Sequence, residues 1–167
     1  MKRWTKLIIL FLLITNSIFI VTTVMYKNST PVFKVYSFEG ESENIRVSNG
    51  VIIISKDKQM VQGGELQYIG IKRENISAYT KNIYIDNQHG NKETIVGGSV
   101  FNNIKNGMIF PDELLLNRTI GGVSSEKLFR DEDMSTIKDN LYFSLEGTTN
   151  DGKQFNFMVK LQVQELI

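Results

Sequence analysis

Cysteine is absent from this chain of 167 residues, and alanine and histidine occur once each, as Ala78 and His89. Each scarcity removes a class of chemistry. Without cysteine there is no disulfide framework, no thiol nucleophile, no thiolate-bound metal and no lipid attached through sulfur. One histidine is too few for a histidine-built metal site, and it sits in Gln88-His89-Gly90-Asn91, which reads as an exposed turn rather than as a general base. His-Glu-x-x-His, Gly-x-Ser-x-Gly, the phosphate-binding loop and the dinucleotide-binding glycine pattern are all missing. No catalytic, cofactor-binding or metal-ligating residue stands out, no cofactor is implied, and the protein is expected not to be an enzyme.

A strong charge of one sign is missing too. Nineteen basic residues face 18 acidic ones. Lys2, Arg3 and Lys6 account for three of the basic residues, so from residue 26 onward 16 face 18. A slightly acidic domain offers no basic patch for nucleic acid and no general attraction to anionic lipid. One alanine beside abundant Ile, Asn and Lys points to an AT-rich genome and, with no cysteine, to a bacterial envelope protein. In that setting the Asn-x-Ser/Thr triplets at Asn28, Asn75 and Asn117 are incidental.

What the chain does have is a long apolar run, Leu7–Met25, behind the basic cap Met1–Lys6. Thirteen of those 19 positions are Leu, Ile, Phe or Val, each favouring membrane insertion by about 0.3–0.6 kcal/mol. As a helix the run covers about 28 Å, enough to cross a hydrocarbon core of about 30 Å. The cap carries three cations and only Lys27 follows closely, so the amino end is expected in the cytoplasm and the rest outside. Trp4 suits the cytoplasmic membrane boundary. A cleavable signal peptide is the competing reading, because Leu7–Ile14 matches its short apolar core. Ala-x-Ala cannot occur around a lone Ala78, however, and a retained anchor is favoured. The expected organisation is 1–25 cap and anchor, 26–32 a short polar spacer, and 33–167 one extracytoplasmic domain.

That domain reads as strands. Phe33–Phe38 alternates. Over 45–54, Ile45, Val47, Val51 and Ile53 share one parity and Ile52 and Ile54 the other, with an interruption at Ser48-Asn49-Gly50 that fits either a hairpin turn or a bulge. Gly63-Gly64 is turn chemistry before a strand over 66–72. Lys81–Asp86 and Glu93–Val96 flank the turn that contains His89. Leu141, Phe143 and Leu145, then Phe155, Phe157, Val159, Leu161 and Val163, alternate with polar residues around Thr148–Gly152 and form a half-buried antiparallel hairpin. Short helical pieces are expected at Glu126–Arg130 and Met134–Lys138, with Asp131, Glu132 and Asp133 at a helix start. Residues 97–123, with five glycines and Pro111, read as loop. About seven short strands with a helical crossover predict an all-β antiparallel sandwich, immunoglobulin-like, with a small barrel as the alternative.

Three groups invite a chemical reading. Glu39, Glu41 and Glu43 recur with period two, which on an extended backbone gathers carboxylates on one side and can hold Ca²⁺; a solvated strand face is the ordinary explanation. Asp131–Asp133 is explained by a helix start. Tyr36, Phe38, Tyr68, Tyr79 and Tyr84 can line a sugar- or peptide-binding face, although aromatics in a sandwich more often form core.

Tyr36-Ser-Phe-Glu-Gly-Glu-Ser-Glu-Asn-Ile-Arg-Val-Ser-Asn-Gly50 resembles a segment of uncharacterised membrane-anchored or exported proteins of Bacillus-like bacteria, whose pattern is Tyr-x-Phe-x-Gly-Glu-Ser-x-Asn-Trp. Gly63–Gly70, Phe110-Pro-Asp-Glu and Leu141-Tyr-Phe-Ser are similar to that group as well. Ile45 stands where the group has tryptophan. The resemblance implies an exported single domain and no assigned activity.

The function expected from these observations is a membrane-anchored binding module whose partner is an envelope protein or a cell-wall component, with recognition in loops 86–92, 97–112 and 147–153. The alternatives are a hydrolase built on two acid clusters facing across a cleft, a soluble exported form, and an anchor whose Thr15, Asn16, Ser17, Thr22 and Thr23 pair with another transmembrane helix.

Overall fold

The computed structural model describes residues 2–29, 33–70, 74–86, 91–101, 108–110, 118–129 and 131–167. The chain divides into two units, Met1–Val32 and Phe33–Ile167. The first is a single helix, α1 (Lys2–Ser29), in which Arg3–Met25 is long and apolar enough to cross a membrane. Four of its polar side chains bond back to the helix. The Thr15 and Thr22 hydroxyls donate to carbonyls three and four residues back, Ser17 Oγ to Leu13 O at 2.9 Å, and Asn16 Nδ2 to Leu12 O at 2.9 Å. These bonds lower the cost of placing the four side chains in lipid without a neighbouring helix.

The second unit is all-β with one short helix. One sheet, A, contains β1 (Lys34–Glu41), β2 (Ile45–Ile54), β3 (Gln59–Gln62), β4 (Glu65–Tyr68), β8 (Arg118–Thr119), β9 (Gly122–Ser125) and β12 (Gln162–Glu165), in the order β12-β1-β2-β3-β9, with β4 and β8 continuing the path from β2. The other, B, contains β5 (Glu74–Asp86), β6 (Lys92–Phe101), β7 (Met108–Phe110), β10 (Leu141–Thr149) and β11 (Gln154–Lys160), in the order β11-β10-β5-β6, with β7 beside β5. All pairings are antiparallel. The β11-β10-β5-β6 order is that of the G-F-C-C′ strands of immunoglobulin-type sandwiches. Sheet A differs from that plan, because β2 lies beside its own hairpin partners. The predicted all-β sandwich is therefore present, with twelve described strands where about seven were expected.

Two of the extra strands come from one line of irregularity across sheet A. The β1–β2 register shifts between Phe38 and Gly40, opposite Ser48 and Asn49, and Asn49 has φ 58°. In the next position Gly63-Gly64 separates β3 from β4, with Gly64 at φ 75°, and beyond it Ile120-Gly121 separates β8 from β9. Gly63 N donates to Gly121 O at 2.8 Å and Ile120 N to Gly64 O at 2.9 Å, so the breaks are hydrogen-bonded to one another. Bulges and glycines at one level bend a sheet without leaving its backbone unpaired. The interruption at Ser48-Asn49-Gly50 is a bulge. One extra residue flips the pleat, so the buried set is Ile45 and Val47 before it and Gly50, Ile52 and Ile54 after it. Val51 and Ile53, grouped with Ile45 by parity, are only half-buried.

The two inner faces share one core: Phe38, Ile45, Ile52 and Leu66 from A, and Ile76, Ile83, Phe143 and Leu145 from B. Ile45, at the position where the resembling group has tryptophan, is fully buried. Tyr68 and Phe157 meet across the sheets with ring centroids 6.2 Å apart. The chain passes from β11 to β12 through buried Leu161, whose N–H donates to Leu141 O at 2.9 Å. The expected single strand over 155–163 is thus two, one in each sheet.

One helix, α2 (Asp131–Asn140), packs on β12 and β5 and buries Ile137. Residues 131–133 form its first turn, the favourable end for acids. The helix expected at Glu126–Arg130 is absent over the described residues 126–129. Gln59 Oε1 accepts the N–H groups of Leu128 at 2.6 Å and Phe129 at 2.8 Å, and buried Phe129 pins that bend to the core. Ser124 and Ser125, in β9, pair with Met60 and Gln59. The stretch read as loop over 97–123 contains the end of β6, all of β7 and β8 and the start of β9.

Candidate functional site

The outer face of sheet B is laid out in rows, because β11, β10, β5 and β6 hold an unshifted register over several residues. Phe101, Ala78, Thr148 and Gln154 form one row and Ser99, Thr80, Glu146 and Asn156 the next. Alternation of the pleat sends these side chains to the face opposite the core. Small residues in the middle and larger ones at the flanks leave a trough of about 440 Å³, lined by Ala78, Thr80, Phe101, Glu146, Thr148 and Asn156 among others. That volume falls in the range of small-ligand sites. Phe101 is 79% exposed, more than any other aromatic residue described in the domain. Thr80 Oγ1 and Ser99 Oγ are 3.0 Å apart, and the Gln154 and Asn156 amides each offer two donors and an acceptor. Glu146 is the one charged side chain among the described lining residues.

Further along the same face the character changes. Tyr84 and Tyr142 stack with centroids 5.7 Å apart, Lys92 Nζ lies 4.9 Å from the centre of the Tyr84 ring, and Tyr84 Oη donates to Met158 Sδ at 3.5 Å. Burial pushes the Tyr84 phenol above its ordinary pKa. This end is packed and its polar tips are engaged, so it braces the face and leaves the trough as the accessible part.

The sequence-marked residues fall elsewhere. Tyr36, Phe38, Tyr68, Tyr79 and Tyr84 are all buried; the core reading holds for the first four, which belong to the shared core, whereas Tyr84 is buried by packing on the outer face of sheet B. Glu39, Glu41 and Glu43 are exposed, but the bulge and the bend at Ser42–Asn44 prevent a single row. Glu41 is taken by Arg46, with Nε 2.6 Å from Oε2. That hydrogen bond holds the Glu41 carboxyl below its usual range and raises Arg46. Two shallow depressions of about 250 and 320 Å³ flank Glu39 and Gln162. No group of three metal-binding side chains occurs among the described residues. His89 lies outside the described residues, as do 87–90 of loop 86–92 and 102–107 and 111–112 of loop 97–112. Of loop 147–153, residues 147–149 belong to β10, and the turn is closed by Thr149, Asp151 and Lys153. Lys153 Nζ is 2.6 Å from Asp151 Oδ2 and Thr149 Oγ1 donates to Asp151 Oδ1.

Phe101 falls within the recognition loop expected over 97–112 but was not singled out, because that stretch was read as loop and Phe101 ends strand β6. The signal that marks it is Val96-Gly-Gly-Ser-Val-Phe101, an alternation weakened by two glycines. Compared with known proteins, the chain matches no family model, no curated protein and no solved structure.

Proposed function

We propose that this protein is a membrane-anchored, extracytoplasmic binding module that uses the trough on sheet B to hold an uncharged, hydroxyl-rich ligand, with the glycan of the cell wall as the envelope component of that chemistry. The observation that carries the reading is the lining itself. An exposed aromatic ring at one flank suits the C–H face of a pyranose. Amides and hydroxyls opposite it suit the ring's rim of donors and acceptors. Among the described lining residues there is one carboxylate and no cation, which favours a neutral ligand over a phosphate-bearing polymer.

The anchoring half of the proposal rests on the apolar span of α1, on its four polar side chains that bond back to the helix and on the basic cap before it. Residues 33–167 then stand on the far side of the membrane. A soluble form released by cleavage after about residue 25 would keep the same trough.

The test is co-sedimentation of the full chain, reconstituted in nanodiscs, with purified insoluble cell-wall glycan. Wild-type protein is expected to sediment with the glycan, and Phe101→Ala to lose about tenfold in affinity, the scale of one buried aromatic contact of about 1.4 kcal/mol. Equal retention of Phe101→Ala, or no retention of wild type, would overturn the assignment.

A further inference from the structure

At the end of sheet A where β1 begins, backbone pairing gathers three large apolar side chains that stand exposed among the described residues. Val35 N donates to Ile167 O at 3.1 Å and Leu166 N to Val35 O at 2.8 Å. That brings Leu166 and Ile167, 56% and 70% exposed, beside the start of β1, where Phe33 is 50% exposed. The same end carries the β2–β3 turn, because Lys34 is paired with Ile54 and Ser55 N donates to Lys58 O at 2.9 Å. Lys56 and Lys58 of that turn are exposed. Lys34, Lys56 and Lys58 face Asp57 and Glu165, and Glu165 is already engaged by Lys138 at 2.7 Å. A domain that is slightly acidic as a whole thus has one tip that is apolar at its centre and basic at its rim.

We infer that this tip rests on the outer surface of the membrane, with Phe33, Leu166 and Ile167 among the lipid headgroups and the lysines beside anionic lipid. The inference rests on α1 being retained as a membrane span. Chain length supplies the second argument. From Met25 to Ser29 the helix rises about 6 Å, and the four steps from Ser29 to Phe33 reach at most about 14 Å when fully extended. The headgroup layer adds about 5–7 Å to each side of the hydrocarbon. Of the whole domain, Phe33 is therefore the apolar residue held nearest the bilayer by its covalent tether. Exposed apolar side chains rimmed by lysine suit that layer, where the apolar part buries and the ammonium groups meet lipid phosphate. Docking there would fix the height and tilt of the sheet B trough above the membrane.

The single tryptophan makes the test direct. Full-length protein is placed in nanodiscs of phosphatidylcholine and phosphatidylglycerol, with or without lipids brominated near the headgroup. Wild-type Trp4 reports on the anchor. In a Trp4→Phe background, Phe33→Trp and, separately, Leu166→Trp report on the tip. The expected result is a blue-shifted emission for the tip probes, quenched by the brominated lipids. Quenched Trp4 with solvent-like, unquenched tip probes overturns the docking and leaves the anchor standing. Unquenched Trp4 overturns the anchor, and the docking with it. Tip probes that are blue-shifted yet unquenched identify a second copy of the chain as the cover and overturn the lipid assignment.

Discussion

From β1 across to β8 and β9, sheet A is broken at a single level, at Gly40, Ser48-Asn49, Gly63-Gly64 and Gly121. Sheet B carries β5 and β10 past each other without a shift from Leu141↔Ile85 to Thr148↔Ala78. The breaks let sheet A curve over the core. The unbroken register lets sheet B present ordered rows of side chains to solvent. The comparison separates two uses of a sheet, closing an interior and offering a surface, and in this domain the candidate binding trough belongs to the stretch of sheet B that keeps its register, between the shifts at Ile83/Tyr84 and at Thr148/Thr149.

The largest expected effect tests whether the two sheets stand on one interior. Phe143→Ala removes a fully buried ring of sheet B that belongs to the shared core, and should lower stability by about 3–5 kcal/mol in urea unfolding of the full chain. Loss of amide protection in both sheets together is the expected accompaniment. Protection lost in sheet B alone would show two independent layers.

A smaller effect addresses the bend. Gly64→Ala places a Cβ against the Ser48 carbonyl in a backbone of positive φ. The expected cost is about 1–3 kcal/mol, with exchange protection lost first at the amides of Gly63 and Ile120. Unchanged stability would mean that the line of breaks does not depend on glycine geometry. At the neighbouring bulge Asn49→Ala should cost about 1 kcal/mol, because alanine disfavours φ near 58°, whereas Asn49→Gly should be close to neutral.

The smallest effect concerns acid. Hydrogen bonds from Lys153 and then Thr149 hold the Asp151 carboxyl at about 2, against 3.8 for the free side chain. A lowered folded-state pKa contributes stability that is fully present above the unfolded value and disappears as pH falls through the folded one. The loss should therefore run from about pH 4 to pH 2, and Asp151→Asn should flatten that part of the profile. Asp151 is fully exposed, so the change should be slight. A carboxyl carbon NMR titration with a midpoint near 4 would refute the depressed pKa.

How much of this was legible in the sequence follows the same division. The β10–β11 hairpin was readable because apolar and polar residues alternate along its sequence, and α1 because no charge interrupts its apolar run. In sheet A alternation left the bulge at Asn49 undecided against a hairpin turn, since alternation counts residues and cannot see that two of them oppose one. Strand β3, with Met60 and Val61 between glutamines, is too short to show a period. The trough was illegible for a different reason. Ala78, Thr80, Thr148 and Asn156 carry no chemical signature of their own, and they become a site only through pairings between strands far apart in the chain.

The place of β1, hydrogen-bonded on one side to β2 and on the other to β12, sets a timetable. Tyr36 is matched to Glu165, so a chain made from its amino end displays β1 long before its second partner exists. Contacts of such long sequence separation make for slow folding. During that interval one edge of β1 is open to pairing with another chain. Incomplete molecules are consequently the vulnerable species, and the emergence of β12 decides when the domain is safe from misassembly.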